Sequence, residues 1–311
     1  MNILISTSSF GRHSREPLEL LESWGASYRL NAQGRKLAAE EIASLLSDID
    51  GLIAGTEPLT REVLRNAPRL KVISRCGTGL DNVDLEAAAE LGIEVRNTPE
   101  AHVDAVAELT LGAMLSSLRR LAEADRSVRG GDWRKPMGRL LRSQTVGLVG
   151  LGRVGRRLIE LLAPFDVTII ACDPNQDADF ASRHGIRYAE LGELLRQSDI
   201  VSLHLPYGAE VRHLLDRQRI AEMKPGSVLI NCARGGIVDE QALCAALQDG
   251  HLAAAHIDTF ENEPYDGPLK DIPSATLSPH IGSYAVEGRI RMEREAVQNL
   301  IDCLNAGGMT E

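Results

Sequence analysis

A glycine-rich turn near the middle of the chain constrains its fold more than any other feature. Residues 150–155 read G-L-G-R-V-G; the apolar segment Thr145–Val149 precedes them, and a segment with helical periodicity follows. A G-x-G-x-x-G between a strand and a helix predicts a dinucleotide-binding β-α-β unit, which the glycines alone would not. A second apolar segment, Val167–Cys172, ends at Asp173, roughly 20 residues after the turn, where such units carry the acid that binds the ribose. The sequence therefore predicts a doubly wound α/β domain.

The glycine turn is the expected binding site of a pyrophosphate. Gly150 would permit the tight turn, Gly152 would let the phosphates approach the backbone, and Gly155 would allow close packing of helix and strand. The helix begins with Arg153 and Val154. The N–H groups and the positive dipole end at the start of that helix would attract the phosphates.

Asp173 predicts which cofactor is preferred. Its carboxylate can accept a hydrogen bond from a ribose 2′-hydroxyl and would repel a 2′-phosphate. Residues 174–179 add further acids and contain no Lys or Arg that could neutralise such a phosphate. We therefore expect NAD rather than NADP.

The acidic balance of the chain excludes several classes of partner. With 44 acidic and 34 basic residues, the formal net charge is −10, and no long run of Lys or Arg occurs. Binding to nucleic acid or to an anionic membrane needs a basic surface and is therefore not expected. An anionic substrate would instead need a few arginines that create a local positive field.

Length and cysteine content bear on domain number and compartment. The 311 residues suggest two domains, and 43% hydrophobic residues are enough for two cores. The first residues read as a strand rather than a signal peptide, and no apolar run is long enough for a membrane span. The five cysteines form no C-x-x-C, and their odd number favours reduced thiols over disulfides or zinc. We expect a cytoplasmic protein without a metal site.

Short apolar segments alternate with helical segments along the chain, which predicts parallel sheets covered by helices. In the first part, strands are predicted at Ile3–Ile5, Gly51–Ala54 and Val72–Ser74, and helices at Pro17–Trp24 and Thr60–Asn66. Further on, six strands are predicted at 145–149, 167–172, 200–203, 228–231, 253–257 and 275–277.

Two longer helices are predicted outside this alternation. Asn97-Thr98-Pro99 reads as a cap with proline at the first helical position, and the helix would continue to the break at Gly130-Gly131. A last amphipathic helix is predicted over Val286–Leu304.

Three segments that follow predicted strands carry residues suited to acid–base chemistry. Arg234 has a planar charged fork that suits a carboxylate, although it could equally cap the preceding strand or pair with Asp239. Glu261 and Glu263 compete for a catalytic role. His280 precedes a glycine turn, and because a histidine ordinarily titrates near pH 6.5 it can serve as general acid or base.

Together these motifs resemble those of the D-2-hydroxyacid dehydrogenase family over essentially the whole chain. The matching segments are Gly77–Asp84, the glycine turn, His204–Pro206, Asn231–Glu240, Phe260–Pro264 and Pro279–Gly282. The resemblance implies an α/β fold of two doubly wound parallel-sheet domains. A Rossmann domain of residues 98–280 would bind NAD and be inserted into a flavodoxin-like substrate domain of residues 1–97 and 281–311.

The same resemblance implies an oxidoreductase that acts as a homodimer or homotetramer. The active site would close between the domains and exclude water from hydride transfer. The helix after Pro99 would lie at a dimer interface, although a core helix would show the same apolar stripe.

The resemblance also assigns roles to individual residues. Arg234 would hold the substrate carboxylate and carbonyl, His280 would donate and accept the proton, and Glu263 would pair with His280. The expected substrate-binding residues are Arg75, Cys76, Gly77, Thr78, Gly79, Arg234 and His280. The expected cofactor-binding residues are Gly150, Gly152, Arg153, Val154, Gly155, Asp173, Leu205, Pro206, Cys232, Ala233, Asp258, His280 and Gly282, with Asp258 near the nicotinamide carboxamide.

Phosphoglycerate dehydrogenases are the most similar subgroup, which makes 3-phosphoglycerate and 3-phosphohydroxypyruvate the expected substrates. Arg75 and residues 131–135 offer basic groups for a phosphate. Gly55-Thr56, however, stands where that subgroup often has Arg-Ser, and Ser283-Tyr284 departs from its small-residue-then-Thr pattern. The sequence ends at Glu311 without the regulatory domain of longer members, so feedback through such a domain is not expected.

Two alternatives remain open. The missing phosphate contact at Gly55 leaves a glyoxylate or hydroxypyruvate reductase as the second hypothesis. A binding protein that senses NAD, like the corepressors of this family, would retain the same residues. The absence of a long disordered tail counts against that third hypothesis.

Overall fold

The computed structural model describes residues 1–306, which form two compact units. The first unit contains Met1–His102 and the chain from Tyr284 onward, and the second contains Val103–Ser283. The chain therefore leaves the first unit, builds the second and returns. The substrate and cofactor roles that the resemblance gives to these units stay predictions.

Twelve strands and twelve α-helices make up the described residues. The strands are β1 (Asn2–Ile5), β2 (Ser27–Leu30), β3 (Gly51–Ala54), β4 (Val72–Arg75), β5 (Glu94–Arg96), β6 (Thr145–Val149), β7 (Thr168–Cys172), β8 (Ile186–Tyr188), β9 (Ile200–Leu203), β10 (Ser227–Asn231), β11 (Leu252–Ile257) and β12 (Ala275–Leu277). The helices are α1 (Glu16–Ser23), α2 (Ala39–Leu45), α3 (Arg61–Leu64), α4 (Leu85–Glu90), α5 (Val103–Leu118), α6 (Leu121–Arg129), α7 (Arg153–Leu162), α8 (Ala178–His184), α9 (Leu191–Gln197), α10 (Arg217–Glu222), α11 (Glu240–Gln248) and α12 (Val286–Ala306).

The first unit is built on a five-stranded parallel sheet in the order β2-β1-β3-β4-β5, which is the flavodoxin-like order. Alternate residues of β1 face opposite sides: Ile3 and Ile5 pack with α1 and α12, and Leu4 packs with α2, α3 and α4. The predicted strands that became β1, β3 and β4 are confirmed. The edge strands β2 and β5 were not predicted, because their side chains are mostly polar and exposed.

The second unit is built on a seven-stranded parallel sheet in the order β12-β11-β10-β9-β6-β7-β8. All six predicted strands are present, with shifts of one residue at some ends. The prediction of six strands is nevertheless wrong, because β8 forms the edge next to β7. β8 has only three residues, one of them Arg187, so it carries almost no apolar pattern. The predicted fold class, two doubly wound parallel-sheet domains, is confirmed.

The strand order of the second sheet reverses between β6 and β9. From β6 the chain proceeds to β7 and β8 on one side, and then returns to β9, β10, β11 and β12 on the other. Ligands of doubly wound sheets bind beyond the carboxyl ends of the strands at such a reversal. The glycine turn at 150–155 lies at this point.

The helix predicted from Pro99 begins later and is interrupted. α5 starts at Val103, because the buried Thr98 side chain accepts a hydrogen bond from the Gly77 N–H (2.9 Å) and does not cap a helix. Arg120 has a left-handed backbone (φ 51°) and separates α5 from α6. Seven α5 residues are buried and α6 has none. α5 is thus a core helix of the second unit.

The C-terminal helix α12 covers one face of the first sheet. Ser74 on β4 donates a hydrogen bond to the Ala296 carbonyl (2.7 Å), and Val297 and Leu300 are buried against the strands. The predicted helix over Val286–Leu304 is confirmed and extends to Ala306. In the part of the chain that the structure describes, no helix is both long and apolar enough to cross a membrane.

Candidate active site

The glycine turn leaves space for a ligand at one of its three glycines. A Cβ on Gly150 (φ +95°) would lie 2.5 Å from the His204 carbonyl oxygen, and one on Gly155 would lie 2.9 Å from the Gly150 oxygen. A Cβ on Gly152 would meet no atom within 4 Å. Gly150 and Gly155 are therefore required by the protein's own packing, whereas Gly152 borders an open cradle. A pyrophosphate fits this cradle, because the first turn of α7 has neither a side-chain cap nor an acidic residue.

Asp173 is held at the end of β7 beside the glycine turn. One carboxylate oxygen accepts a hydrogen bond from the Leu151 N–H (2.6 Å), and the other accepts one from the Asn175 N–H (2.7 Å). Because each carboxylate oxygen can accept more than one hydrogen bond, lone pairs remain for ribose hydroxyls. The carboxylate is thus fixed beside the glycine turn.

Arg156 lies nearer to this acidic segment than the sequence suggested. Its guanidinium donates to Asp177 (2.7 Å) and to the Leu151 carbonyl (3.2 Å), and stacks 4.7 Å from the centre of the Phe180 ring. The expectation that no arginine lies near Asp173, the acid predicted to bind the ribose, is therefore incomplete. The guanidinium of Arg156, however, is held in place by these contacts within the protein.

The segment after β9 also borders the glycine turn. The Leu205 side chain would be 3.0 Å from a Cβ on Gly150, and Pro206 follows it. His204 lies within hydrogen-bond distance of the Ser202 hydroxyl (3.0 Å). Burial lowers the pKa of His204 to about 4, so this histidine is neutral at pH 7.

The loop that carries Arg234 is held by its neighbours. Asn231, the last residue of β10, donates to the Arg234 carbonyl (2.9 Å) and accepts from the Ala233 N–H (3.1 Å). A Cβ on Gly235 would lie 1.8 Å from the Phe260 carbonyl oxygen, so the two backbones are in direct contact. The Arg234 guanidinium donates to the Ala233 carbonyl (2.8 Å). Cys232 and Ala233 belong to the same loop.

Glu263 pairs with His280, as the resemblance implies. His280 Nδ1 lies 2.9 Å and 3.1 Å from the two carboxylate oxygens. Burial raises the pKa of Glu263, but hydrogen bonds from His280 and the Phe260 N–H, with the charges of His280 and Arg234, outweigh it, so the pKa is lowered. Since a carboxylate must accept, Nδ1 donates, which leaves Nε2 free of this pair.

The geometry distinguishes Glu261 from Glu263 as the partner of His280. Glu261 forms a hydrogen bond with His213, whereas Glu263 is the carboxylate that pairs with His280. The structure brings the Arg234 loop against the turn that carries Glu263, since Gly235 meets the Phe260 backbone, and Glu263 in turn pairs with His280. Arg234, Glu263 and His280 belong to loops at the carboxyl edge of the second sheet.

Asp258 holds the loop that carries His280 in place. This role of Asp258 was not predicted from the sequence. Its fully buried carboxylate accepts hydrogen bonds from the Ser278 hydroxyl and from the N–H groups of Ile281 (2.9 Å) and Gly282 (2.8 Å). The His280 N–H donates to the Asp258 carbonyl (2.8 Å), and His280 has a left-handed backbone (φ 53°). No sequence signal indicated this, because the partners lie about twenty residues apart and in different elements.

In the first unit, the 75–79 loop follows β4. The Arg75 guanidinium lies against Gly77, where a Cβ would be 1.5 Å from Nη1. The Thr78 hydroxyl is 2.8 Å from His102 Nδ1, and the Thr78 carbonyl accepts from the Asn97 side chain (2.7 Å). The predicted substrate-binding residues Arg75, Cys76, Gly77, Thr78 and Gly79 thus form one loop supported by residues 97–102.

Two charged groups beside the 75–79 loop were not predicted. Glu57 is 1% exposed and accepts hydrogen bonds from the Ser6 hydroxyl and the Gly55 N–H (3.0 Å). Arg289 on α12 donates to Glu293 (2.7 Å). Burial raises the pKa of Cys76 to about 11, although the charge of Arg289 acts to lower it. A charged pair on α12 and a buried carboxylate therefore adjoin this loop.

The basic residues considered for a phosphate differ in their surroundings. Residues 131–135 lie on an exposed segment between α6 and β6, where Trp133 is 76% exposed and Arg134 pairs with Asp132.

All five cysteines are free thiols. Burial raises the pKa of Cys232 to about 12, so neither Cys76 nor Cys232 is a thiolate at pH 7.

Comparison with known proteins decides the family. Residues 111–282 match the family model described as "D-isomer specific 2-hydroxyacid dehydrogenase, NAD binding domain". The chain belongs to the D-isomer specific 2-hydroxyacid dehydrogenase family. The second unit therefore contains a nicotinamide dinucleotide-binding domain. The prediction of an oxidoreductase is confirmed at the level of this family.

Relatives of this chain carry two different names. The glyoxylate reductase of Thermofilum pendens is 41% identical over 275 residues, which cover 85% of this chain and 81% of the relative. The D-3-phosphoglycerate dehydrogenase of Methanocaldococcus jannaschii is 39% identical over 259 residues, which cover 81% of this chain but 49% of the relative. The chain therefore spans about half the length of this second relative.

A solved structure from Thermus thermophilus superposes with a TM-score of 0.91 at 35% identity. The superposition covers 98% of this chain and 97% of that chain. The fold of this chain is thus shared along essentially its full length with an experimentally determined structure.

Proposed function

We propose that this protein transfers a hydride between NAD(H) and a small 2-keto or 2-hydroxy acid. The observation that carries the proposal is the pairing of His280 with Glu263 beside Arg234. These residues follow strands of the same sheet that presents the glycine turn. A proton donor, the carboxylate that supports it and a fixed cation are the groups that carbonyl reduction requires.

Each of the three residues has a defined part in this reaction. When bound, the nicotinamide supplies or accepts the hydride at the substrate carbon. As the carbonyl oxygen gains negative charge, protonated His280 donates a proton to it from Nε2 and Arg234 stabilises the charge. Glu263 orients the imidazole, because its carboxylate accepts the hydrogen bond of Nδ1 (2.9 Å) and so leaves Nε2 for the substrate. Oxidation of the hydroxy acid runs the same steps in reverse, with neutral His280 as the base.

NAD is the proposed cofactor. Asp173 presents a carboxylate beside the glycine turn, and Arg156 is held by Asp177 and the Leu151 carbonyl. A 2′-phosphate would meet the negative charge of Asp173. The free thiols agree with a reducing compartment, so the cytoplasm stays our proposed location.

The proposed substrate is a small unphosphorylated acid such as glyoxylate or hydroxypyruvate. Gly55 stands where phosphoglycerate dehydrogenases often have an arginine, and its N–H donates to the buried carboxylate of Glu57. A carboxylate at this place repels a phosphate. The relative named glyoxylate reductase also matches along most of its own length.

A phosphorylated acid is the second candidate, and one observation favours it. The Arg75 guanidinium lies on the 75–79 loop that we propose to bind the substrate carboxylate. The relative named D-3-phosphoglycerate dehydrogenase is almost as similar in the matched region. The two candidates differ in whether Glu57 or Arg75 dominates the local charge.

The test is the consumption of NADH by the purified protein with glyoxylate, hydroxypyruvate, pyruvate and 3-phosphohydroxypyruvate. We expect the highest kcat/KM with an unphosphorylated acid. Preference for 3-phosphohydroxypyruvate would support the second candidate. No consumption with any acid would overturn the enzymatic proposal and return weight to a protein that only senses NAD.

A homodimer is the proposed assembly, and α6 is the surface that supports it. α6 has no buried residue, and Leu121 and Val128 are each more than half exposed. Leu121 and Val128 are seven positions apart and so share one face of α6, and a contiguous exposed apolar surface is typical of an interface. Because α5 lies in the core of its own unit, we assign the predicted interface to α6 rather than to the start of α5.

A further inference from the structure

A second histidine–glutamate pair lies on the turn that carries Glu263. His213 Nε2 contacts Glu261, two residues before Glu263, and the 260–263 turn therefore holds one histidine at each end. Both side chains of the His213–Glu261 pair are about one-third exposed. The reaction proposed above uses His280 and Glu263 and gives this second pair no role.

The 260–263 turn is fixed from several sides. The Glu261 N–H donates to Glu240 at the start of α11 (2.9 Å), and the Phe260 N–H donates to Glu263 (3.1 Å). The Phe260 carbonyl touches the backbone of Gly235, the residue after Arg234. A displacement of this turn would therefore move Glu263 and disturb the Arg234 loop.

His213 itself has a constrained position. Its backbone is left-handed (φ 50°), a conformation that residues other than glycine rarely adopt, and its N–H donates to the Gly236 carbonyl (2.7 Å). It ends the segment that begins with Leu205 and Pro206 beside the glycine turn. The side chain thus links that segment to the 260–263 turn.

We propose that His213 is a positioning residue for the hydride transfer proposed above, on which this inference rests. Its side-chain hydrogen bond with Glu261 and its backbone hydrogen bond with Gly236 tie the 260–263 turn to the 205–213 segment and to the Arg234 loop. Glu263 is thereby kept against His280 while the cofactor-facing segment is held in the same unit. His213 touches neither of the reacting groups, so its effect reaches them only through the turn.

The first test compares H213A, H213Q and H251A with the wild type. His251 is the matched control and belongs to the same unit. Its ring contacts the carbonyl of Ile220 (3.0 Å), a residue distant in sequence from the 260–263 turn. We expect H213A to lower kcat about tenfold, since small displacements of catalytic groups are costly. The H213Q amide can still donate to Glu261 and should restore most of the rate. H251A should keep the wild-type kcat.

A double-mutant cycle with E261A tests whether the two residues act as a pair. If they do, H213A/E261A loses no more rate than the worse single variant. Additive losses would show that each residue acts separately and would overturn the proposed tie. A lower melting temperature in H213A with an unchanged kcat would equally overturn it, because the role would then be structural alone.

Hydrogen exchange of the peptide covering residues 258–266 gives a readout that needs no turnover. The Phe260 and Glu261 amides should exchange faster in H213A and return toward the wild-type rate in H213Q. Exchange that is the same in all variants would contradict the tie. A wild type that reduces no acid would remove the proposed function, and hydrogen exchange would still decide whether His213 holds the turn.

Discussion

At the scale of single residues, the structure alters the ionisation of Glu263, the carboxylate that pairs with His280. The pKa of this carboxylate is lowered on balance, because hydrogen bonds and the charges of His280 and Arg234 outweigh the effect of burial. Folding then stabilises the ionised form. This contribution is complete above the ordinary pKa of a glutamate and is lost as the pH falls through the lowered value.

The first prediction uses E263Q, in which this titration is absent. The melting temperature of the wild type should fall more than that of E263Q as the pH drops below about 4.3, the ordinary glutamate value. At pH 7, E263Q should also lower kcat by about 10- to 100-fold, because the protonated imidazole loses its carboxylate. Parallel melting curves over this range would show that Glu263 gains no stabilisation from ionisation in the folded state.

The second prediction concerns the choice of cofactor. D173A should bring the kcat/KM values for NADH and NADPH closer together, because the charge that repels a 2′-phosphate is removed. D179A, with an exposed acid on the same segment, is the matched control and should keep the wild-type ratio. A ratio that D173A leaves unchanged would remove Asp173 from this role.

At the scale of elements, a substitution at the junction between β6 and α7 can separate cofactor binding from the stability of the fold. A Cβ on Gly152 meets no atom within 4 Å, and the backbone there has φ −75°. G152A should therefore keep the wild-type melting temperature. The added methyl group would occupy the phosphate cradle, so the Kd for NADH should rise at least about tenfold.

G155A is the comparison variant for G152A. In G155A the methyl group would lie 2.9 Å from the Gly150 oxygen, which predicts a loss of stability as well as of binding. Fluorescence titration with NADH and thermal melting measure the two effects. Wild-type affinity in G152A would show that the phosphates do not approach this glycine.

Helix α12 depends on a buried charged pair for its attachment to the first sheet. The Glu293 side chain is 1% exposed; it accepts from Arg289 (2.7 Å) and from the Gly11 N–H (2.9 Å). E293A would leave the Arg289 charge without its partner and should cost about 3 kcal/mol of unfolding free energy. E287A, at an exposed position of the same helix, should change it by less than about 0.5 kcal/mol. Urea unfolding that shows equal stability for both variants would contradict this account.

Elements with a strong apolar pattern could be predicted from the sequence, and weakly patterned ones could not. The central strands β3, β6 and β10 are buried along their length and read as continuous apolar runs. The edge strands β2, β5 and β8 expose polar side chains and carry no such signal. The start of α5 was misplaced because Thr98, a good capping residue, instead bonds to the Gly77 N–H.

At the scale of the whole molecule, two sheets present their loops from the carboxyl ends of parallel strands, one in each unit. The resemblance indicated Glu263 as the partner of His280, which the residues alone left undecided between two glutamates. Contacts such as Asp258 with the His280 loop and His213 with Glu261 were not predictable. They join segments distant in sequence through single side chains, and only the folded backbone brings these together.

The charges of the first unit shape the proposed substrate range of the molecule. The acids Glu57 and Glu293 lie beside Arg75 and Arg289 near the 75–79 loop. We expect this mixture of charges to favour a monoanionic acid over a dianionic phosphate, because a monoanion needs fewer cations. The substrate panel proposed above therefore tests the charge balance of a whole unit rather than one contact.

The most direct test of the central claim is steady-state NADH consumption by the wild type and by H280Q, measured with the acid that the wild type reduces fastest. Loss of the proton donor should lower kcat about 100-fold or more. The melting temperature should change little, since the His280 side chain is 47% exposed. Equal rates for H280Q and the wild type would contradict the assignment of His280 as the group that exchanges the proton.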